Sequence, residues 1–237
     1  MKKKKSKWPY RGHHPVFHFF RPIFSLFFPK VEIICLPDHI EDVAIYLGNH
    51  SAKSGPMTYE LRFPKYYVPW GAHEMLGNYK SRFRYLRDVF YIQKQHMHKF
   101  PASLKAGFEA IFSKMIYKGM RLIGTYRDQR MMETIKQSVK ILEEGTAILL
   151  FPEDSSEGYK EILTGFFPGF VMLADRYYKK HGIDLPVYPI YYSKKNKKMV
   201  IGHPLYVQDF VKQGLNRYQI SDEYCKVMNQ LYFDYIK

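Results

Sequence analysis

The chain has only two cysteines, Cys35 and Cys225, among its 237 residues. They make neither a disulfide framework nor a metal-spaced pair, and they fit a reducing interior. No glycine-rich phosphate loop is present, which sets aside a nucleotide enzyme of that design. No apolar run approaches the roughly 20 residues a membrane-spanning helix needs. The longest candidate, 16–28, is broken by His18 and by Arg21-Pro22, and with no small-residue cleavage site it does not read as a secretory signal. Internal repeats and linker-like stretches are lacking, so one domain is expected. Acids are scarce: 22 Asp and Glu face 37 Lys and Arg, a net charge of +15, which calls for an anionic partner, nucleic acid or membrane.

What is present is an ordinary globular balance, 46% apolar and 25% charged, enough for one substantial core. Aromatics are abundant, with 21 Tyr and 18 Phe. The charge is uneven. Residues 1–30 hold Lys2, Lys3, Lys4, Lys5, Lys7, Arg11, Arg21 and Lys30 and no acid, beside Trp8, Phe17, Phe19, Phe20, Phe24, Phe27 and Phe28. Such an arm suits the headgroup zone of an anionic membrane, where each basic residue contributes about 1 kcal/mol before screening. A solvated tail followed by an element packed on the core is the plainer reading of the same residues. Between Tyr79 and Tyr91, basic and aromatic residues interleave, as single-stranded nucleic acid would require. No recognised nucleic-acid motif accompanies them, and no nucleic-acid partner is expected.

Strand and helix signals alternate. Val31–Leu36 and Val43–Leu47 read as strands, Met57–Arg62 as a short helix stopped by Pro64, and Tyr66–Trp70 as strand or loop. A long irregular stretch begins at Met75–Asn78. Lys105–Tyr117 carries Phe108, Ile111, Phe112, Met115 and Ile116 at helical spacing. Met120–Ile123 reads as a strand, Met131–Glu144 as a helix stopped by Gly145, and Ala147–Phe151 as a buried strand. Gly169–His181 is helical, Leu185–Tyr192 and Met199–Ile201 are strands around a lysine-rich hairpin tip, and Asp222–Tyr235 closes the chain as a helix. The class is therefore α/β: a single domain, 31–237, with a largely parallel mixed sheet flanked by helices, preceded by the basic arm 1–30.

Four stretches carry the candidate chemistry: Asn49-His50 after a strand, Ile123-Gly124-Thr125-Tyr126-Arg127, Phe151-Pro152-Glu153 at a strand end, and Leu185–Tyr191. A neutral imidazole can take a proton from a positioned alcohol near neutral pH. In this order and at these separations, over about residues 40 to 195, the stretches resemble the lysophospholipid acyltransferase family, which contains bacterial 1-acylglycerol-3-phosphate acyltransferase. The resemblance implies a glycerolipid acyltransferase-like fold. It implies His50 as the base that deprotonates an acceptor hydroxyl, Arg127 as a ligand of the acceptor's phosphate, and Asn49, Phe151, Pro152 and Glu153 as residues that shape the acceptor site. The acyl donor would be a thioester of coenzyme A or acyl carrier protein, the acceptor a lysophospholipid, with no metal or further cofactor. The place would be the cytoplasmic side of the membrane, as a peripheral protein.

Two departures stand out. The family keeps an aspartate five residues after the histidine, and Gly55 stands there; its third stretch continues Gly-Thr-Arg, where this chain has Asp154, Ser155 and Ser156. Three readings follow. Another acid takes over, with Glu60 as the catalytic substitute or Glu153 or Asp154 reaching in from the next strand end. His50 works with a backbone carbonyl alone. Or acyl transfer is lost and a lipid-binding surface is kept. Glu60 would sit about 140° round an ideal helix from position 55, so its reach needs a bent or late-starting helix.

Overall fold

The computed structural model describes residues 15–51, 55–126 and 128–237, the first four by backbone alone. The strands form one eight-stranded sheet in the order β1-β7-β6-β2-β5-β3-β4, with β8 paired to β6. In chain order these are β1 (Glu32–Cys35), β2 (Ile45–Gly48), β3 (Tyr67–Ala72), β4 (Ile123–Thr125), β5 (Ala147–Leu150), β6 (Pro186–Ser193), β7 (Lys198–Ile201) and β8 (Leu205–Tyr206). Strands β6, β2, β5, β3 and β4 run parallel. Strands β7 and β8 pair antiparallel to β6. The mixed, largely parallel α/β sheet is the one the alternating signals led us to expect.

Both faces of the sheet are covered, so its central strands are apolar at every position. Ile45, Leu47, Ile148 and Leu150 point to the face packed by α5 (Met131–Glu143), α6 (Gly169–His181) and α8 (Arg217–Tyr235). Tyr46, Leu149, Tyr188 and Tyr192 point to the other face, under Tyr59 and Phe63 of the α2 region (α2, Gly55–Arg62). Much of the tyrosine content is used here. Each ring fills core volume and its hydroxyl satisfies a backbone group where the sheet ends. Tyr46 Oη donates to the Glu41 carbonyl at 2.6 Å, and Tyr188 Oη accepts from the Glu41 N–H at 3.2 Å.

Two expectations need correction. The stretch from residue 75 is not irregular: a 3-10 turn (His73–Leu76), α3 (Tyr79–Arg84) and a π-helical run (Tyr85–Gln93) follow one another. Asn78 caps α3 by accepting the Ser81 N–H at 2.9 Å. The guanidinium of Arg82 is buried and donates to the Ala110 and Gly77 carbonyls, so one of the interleaved basic residues is an internal brace. The strand expected over 120–123 is instead β4, shifted toward residue 125, because Arg121 turns with a positive φ of 57°.

The helix expected over 105–117 is α4 (Lys99–Gly119), and part of its apolar stripe faces away from the core. Ala102, Ala106, Ala110 and Ser113 face inward, and Phe108, Ile111 and Phe112 face outward. Helix α1 (Pro15–Leu26) packs beside α4 and α2. Arg62, at the end of α2, holds the carboxyl end of α1 by donating to the Ser25, Phe28 and Pro29 carbonyls. The first half of the basic arm, Trp8 included, lies outside the described residues.

Candidate active site

Strands β2, β5, β3 and β4 are adjacent and parallel, so the residues that follow them share one edge of the sheet. In α/β proteins this carboxyl edge is where polar side chains can gather without disturbing the core. After β2 come Asn49 and His50; after β5 come Phe151, Pro152 and Glu153. The two strands are neighbours, in register from Ile45 opposite Ile148 to Leu47 opposite Leu150. That adjacency brings residues about a hundred positions apart into contact.

Asn49 is buried and binds the chain itself. Its amide donates to the Tyr192 carbonyl at 2.9 Å and its Oδ1 accepts the Tyr192 N–H at 2.7 Å. The side chain thus stands in for a further peptide unit of β2, holding β6 alongside after the strand has ended. Tyr59 Oη supports it, 3.2 Å from Asn49 Oδ1 and donating to the Ile190 carbonyl at 2.9 Å. Asn49 therefore positions its neighbour. A substrate-binding role was expected for it; its polar atoms are engaged in the core. Gly48 is required beneath it, because a Cβ there would come within 2.9 Å of both Phe151 and Tyr59.

His50 lies between two aromatic rings, Phe151 at 4.7 Å and Tyr159 at 4.9 Å between centroids. Its backbone N–H donates to Glu153 Oε1 at 2.5 Å. The other carboxylate oxygen faces its Nδ1 at 3.8 Å. Nδ1 is buried and has no hydrogen-bond partner among the described residues. The side chain of Glu153 is 6% exposed and that of His50 is 21% exposed. An acid is thus held against one ring nitrogen while the imidazole keeps some access to solvent. Ser51, next in the chain, adopts a left-handed φ of 39°, a conformation often held at functional sites. Its Oγ accepts the Lys194 N–H at 2.9 Å.

Glu153 is held by the neck of a closed loop. It bridges to Phe166, the Asp154 N–H donates to the Gly165 carbonyl at 3.0 Å, and the Phe167 N–H donates to the Pro152 carbonyl at 2.8 Å. Asp154 turns the chain by accepting the Ser156 N–H at 3.1 Å, as its residue type suits. Beyond this turn Tyr159 folds back over His50, and burial raises its phenol well above the ordinary range, keeping it protonated. Lys94 secures the loop from outside, donating to Ser155 Oγ at 2.7 Å and sitting 5.4 Å above the Tyr159 ring. Tyr159 and Lys94 carried no signal in the sequence, because nothing in their spacing links them to His50.

The position of the family's aspartate is closed by the backbone itself. A Cβ on Gly55 would lie 1.6 Å from the His50 carbonyl oxygen. No side chain of any kind fits between α2 and His50 in this arrangement. Glu60, expected as the catalytic substitute, is turned elsewhere. It is buried on α2 and its carboxyl bonds the Tyr67 hydroxyl, whose ionisation burial and Glu60 both oppose. The rotation of about 140° along a regular helix leaves it on a different face from residue 55. Of the expected site residues, the structure brings together His50, Phe151, Pro152 and Glu153, with Asn49 behind them. Arg127 lies outside the described residues; beside it, Asp128 pairs with Arg130, which holds its carboxyl down to about 2.

No protein-family model matches the sequence. No curated protein matches it either. Among solved structures, the chain is similar to the 1-acyl-sn-glycerophosphate (LPA) acyltransferase PlsC from Thermotoga maritima. The identity is 13% and the TM-score 0.49, with 94% of this chain and 80% of that chain covered.

Proposed function

We propose that this protein is an acyltransferase that moves a fatty acyl group from an acyl thioester, of coenzyme A or acyl carrier protein, to the hydroxyl of a lysophospholipid such as 1-acylglycerol-3-phosphate. The observation that carries the reading is the pairing of His50 with a buried Glu153 at the ends of two adjacent parallel strands. The charge of the carboxylate 3.8 Å away favours the tautomer with its proton on Nδ1, which leaves Nε2 as the base. Nε2 takes the hydroxyl proton as the acceptor oxygen attacks the thioester carbonyl. The C–S bond then breaks, and the proton passes to the departing thiolate. Positive charge forms on the imidazole only during attack, and Glu153 stabilises it there. Phe151 and Tyr159 fix the ring plane and limit water at the reacting atoms. Arg127 would hold the acceptor's phosphate by charge-assisted bonds. The reading includes no metal or further cofactor, since the thioester is already an activated donor.

The acceptor is a lipid, and the protein would act as a peripheral protein on the cytoplasmic side of the membrane. The basic, Phe-rich arm supports that placement. No helix among the described residues is long and apolar enough to cross a membrane. The closed aspartate position favours one other reading, a lipid-binding relative without catalysis. Wild type and His50→Ala, incubated with labelled acyl thioesters and a panel of lysolipids, separate the two. Transfer in the wild type that falls to background in His50→Ala supports the enzyme. Background rates in both, with lysolipid binding intact, refute it.

A further inference from the structure

The outward apolar face of α4 needs a reason. Phe100, Leu104, Phe108, Ile111 and Phe112 are 46% to 83% exposed. At about 100° per residue they fall within an arc of about 120° on one side of the helix. The opposite side is packed through small residues, Ala102, Ala106 and Ala110. Lys105 and Lys114 flank the apolar arc on its two sides, and both are exposed. The only acid of the helix, Glu109, is turned in and bonds the Tyr91 hydroxyl. Helix α1 lies alongside with Phe19, Ile23 and Leu26 outward, followed by Phe27, all 47% to 83% exposed, and it carries no acid. Exposed apolar side chains gathered on this scale mark an interaction surface.

We infer that the outward faces of α1 and α4 are the seat of this protein on an anionic lipid bilayer. The inference deepens the reading above and rests on its lipid partner. Two convex helices with large apolar side chains on the crest, α4 flanked by Lys105 and Lys114, fit a headgroup layer. The crest enters the acyl boundary while the ammonium groups stay at the phosphates. Charge decides against a second copy: face-to-face association would set one lysine-flanked face of α4 against another, with the only acid of that helix, Glu109, turned away from it. An anionic leaflet is complementary to the same charges. Lys94, five residues before α4, holds Ser155 and Tyr159 of the His50 loop.

Co-sedimentation with phosphatidylcholine vesicles containing about one-third phosphatidylglycerol tests the inference. The wild type should sediment, and Leu104→Glu/Phe108→Glu should bind about tenfold more weakly or worse. Tyr218→Glu, an equally exposed site on α8, should bind as the wild type does. Should the double variant fold poorly, Phe108→Trp gives an independent reading: its added indole fluorescence should be quenched by nitroxide-labelled lipid. Unchanged binding by the double variant, an unquenched indole, or a wild type that ignores these vesicles would overturn the inference. So would a wild-type dimer that the double variant splits while vesicle binding persists. His50→Ala should bind vesicles normally, and the double variant should still acylate a short-chain, water-soluble acceptor. Failure of acyl transfer is thereby distinguished from failure of docking.

Discussion

Replacing Glu153 with glutamine tests the site most directly, because the two carboxylate oxygens do different work. Oε1 accepts the His50 N–H at 2.5 Å, a structural bond that the glutamine carbonyl can keep. Oε2 faces Nδ1, and there glutamine presents an NH2 group instead. That group donates toward Nδ1 and favours the tautomer with its proton on Nε2, the wrong one for a base at that nitrogen. It also removes the negative charge. At an effective dielectric of about 20, a carboxylate and an imidazolium 3.8 Å apart attract by about 4 kcal/mol at most. One factor of ten in rate corresponds to about 1.4 kcal/mol, so the charge alone sets a ceiling near 10³-fold, and the tautomer effect brings the loss toward the roughly 10⁴-fold seen for the orienting acid of a hydrolase triad. We expect kcat to fall by about 10²- to 10⁴-fold with KM little changed, since the imidazolium exists only during reaction. Thiol release from the acyl thioester, followed at varied lysolipid concentration, gives both parameters. A thermal melt close to that of the wild type would confirm that the backbone bond survives. A Glu153→Gln enzyme with kcat within about threefold of the wild type, or with a purely KM effect, would refute the pairing as the source of catalysis.

Three further outcomes follow from the same geometry. Glu60→Gln should leave kcat within about twofold while changing the melting temperature, because its carboxyl is buried against Tyr67; a large kcat loss would return Glu60 to the site. Gly55→Asp, which restores the family's residue, should not rescue Glu153→Gln and should destabilise the fold by about 1–3 kcal/mol or more, since its Cβ meets the His50 carbonyl; denaturant unfolding measures the cost, and rescue of activity would show that the loop opens. Asn49→Ala should cost about 2–4 kcal/mol of stability through the unpaired Tyr192 peptide groups, and a stable variant with only a raised KM would restore Asn49 to substrate binding.

The order of strands and helices was legible because each leaves a local trace. Apolar runs such as Ala-Ile-Leu-Leu are bounded by turn residues, and Gly169–His181 has its helix periodicity and stop. His50 and Glu153 were legible as strand-end residues for the same reason. Which acid faces His50 was not. Residue spacing along α2 describes one helix, whereas the neighbour of β2 is set by the return of the chain from β4 through α5 to β5. Only that crossover places Glu153 beside Nδ1, and only the close passage of α2 over His50 shows that position 55 has no room for an acid.

The sequence by itself determined that this is an α/β chain with a basic, aromatic beginning and a histidine at the mouth of its sheet. The tertiary structure decided what each polar or apolar group is for. Asn49 is consumed by β6, Arg82 by the carbonyls of its neighbours, and the apolar side of α4 faces outward because alanines, not phenylalanines, fit the narrow gap against the core. Periodicity reports that a helix has two unlike faces. Which face is buried depends on the space its partners leave, and that space exists only once the chain is folded.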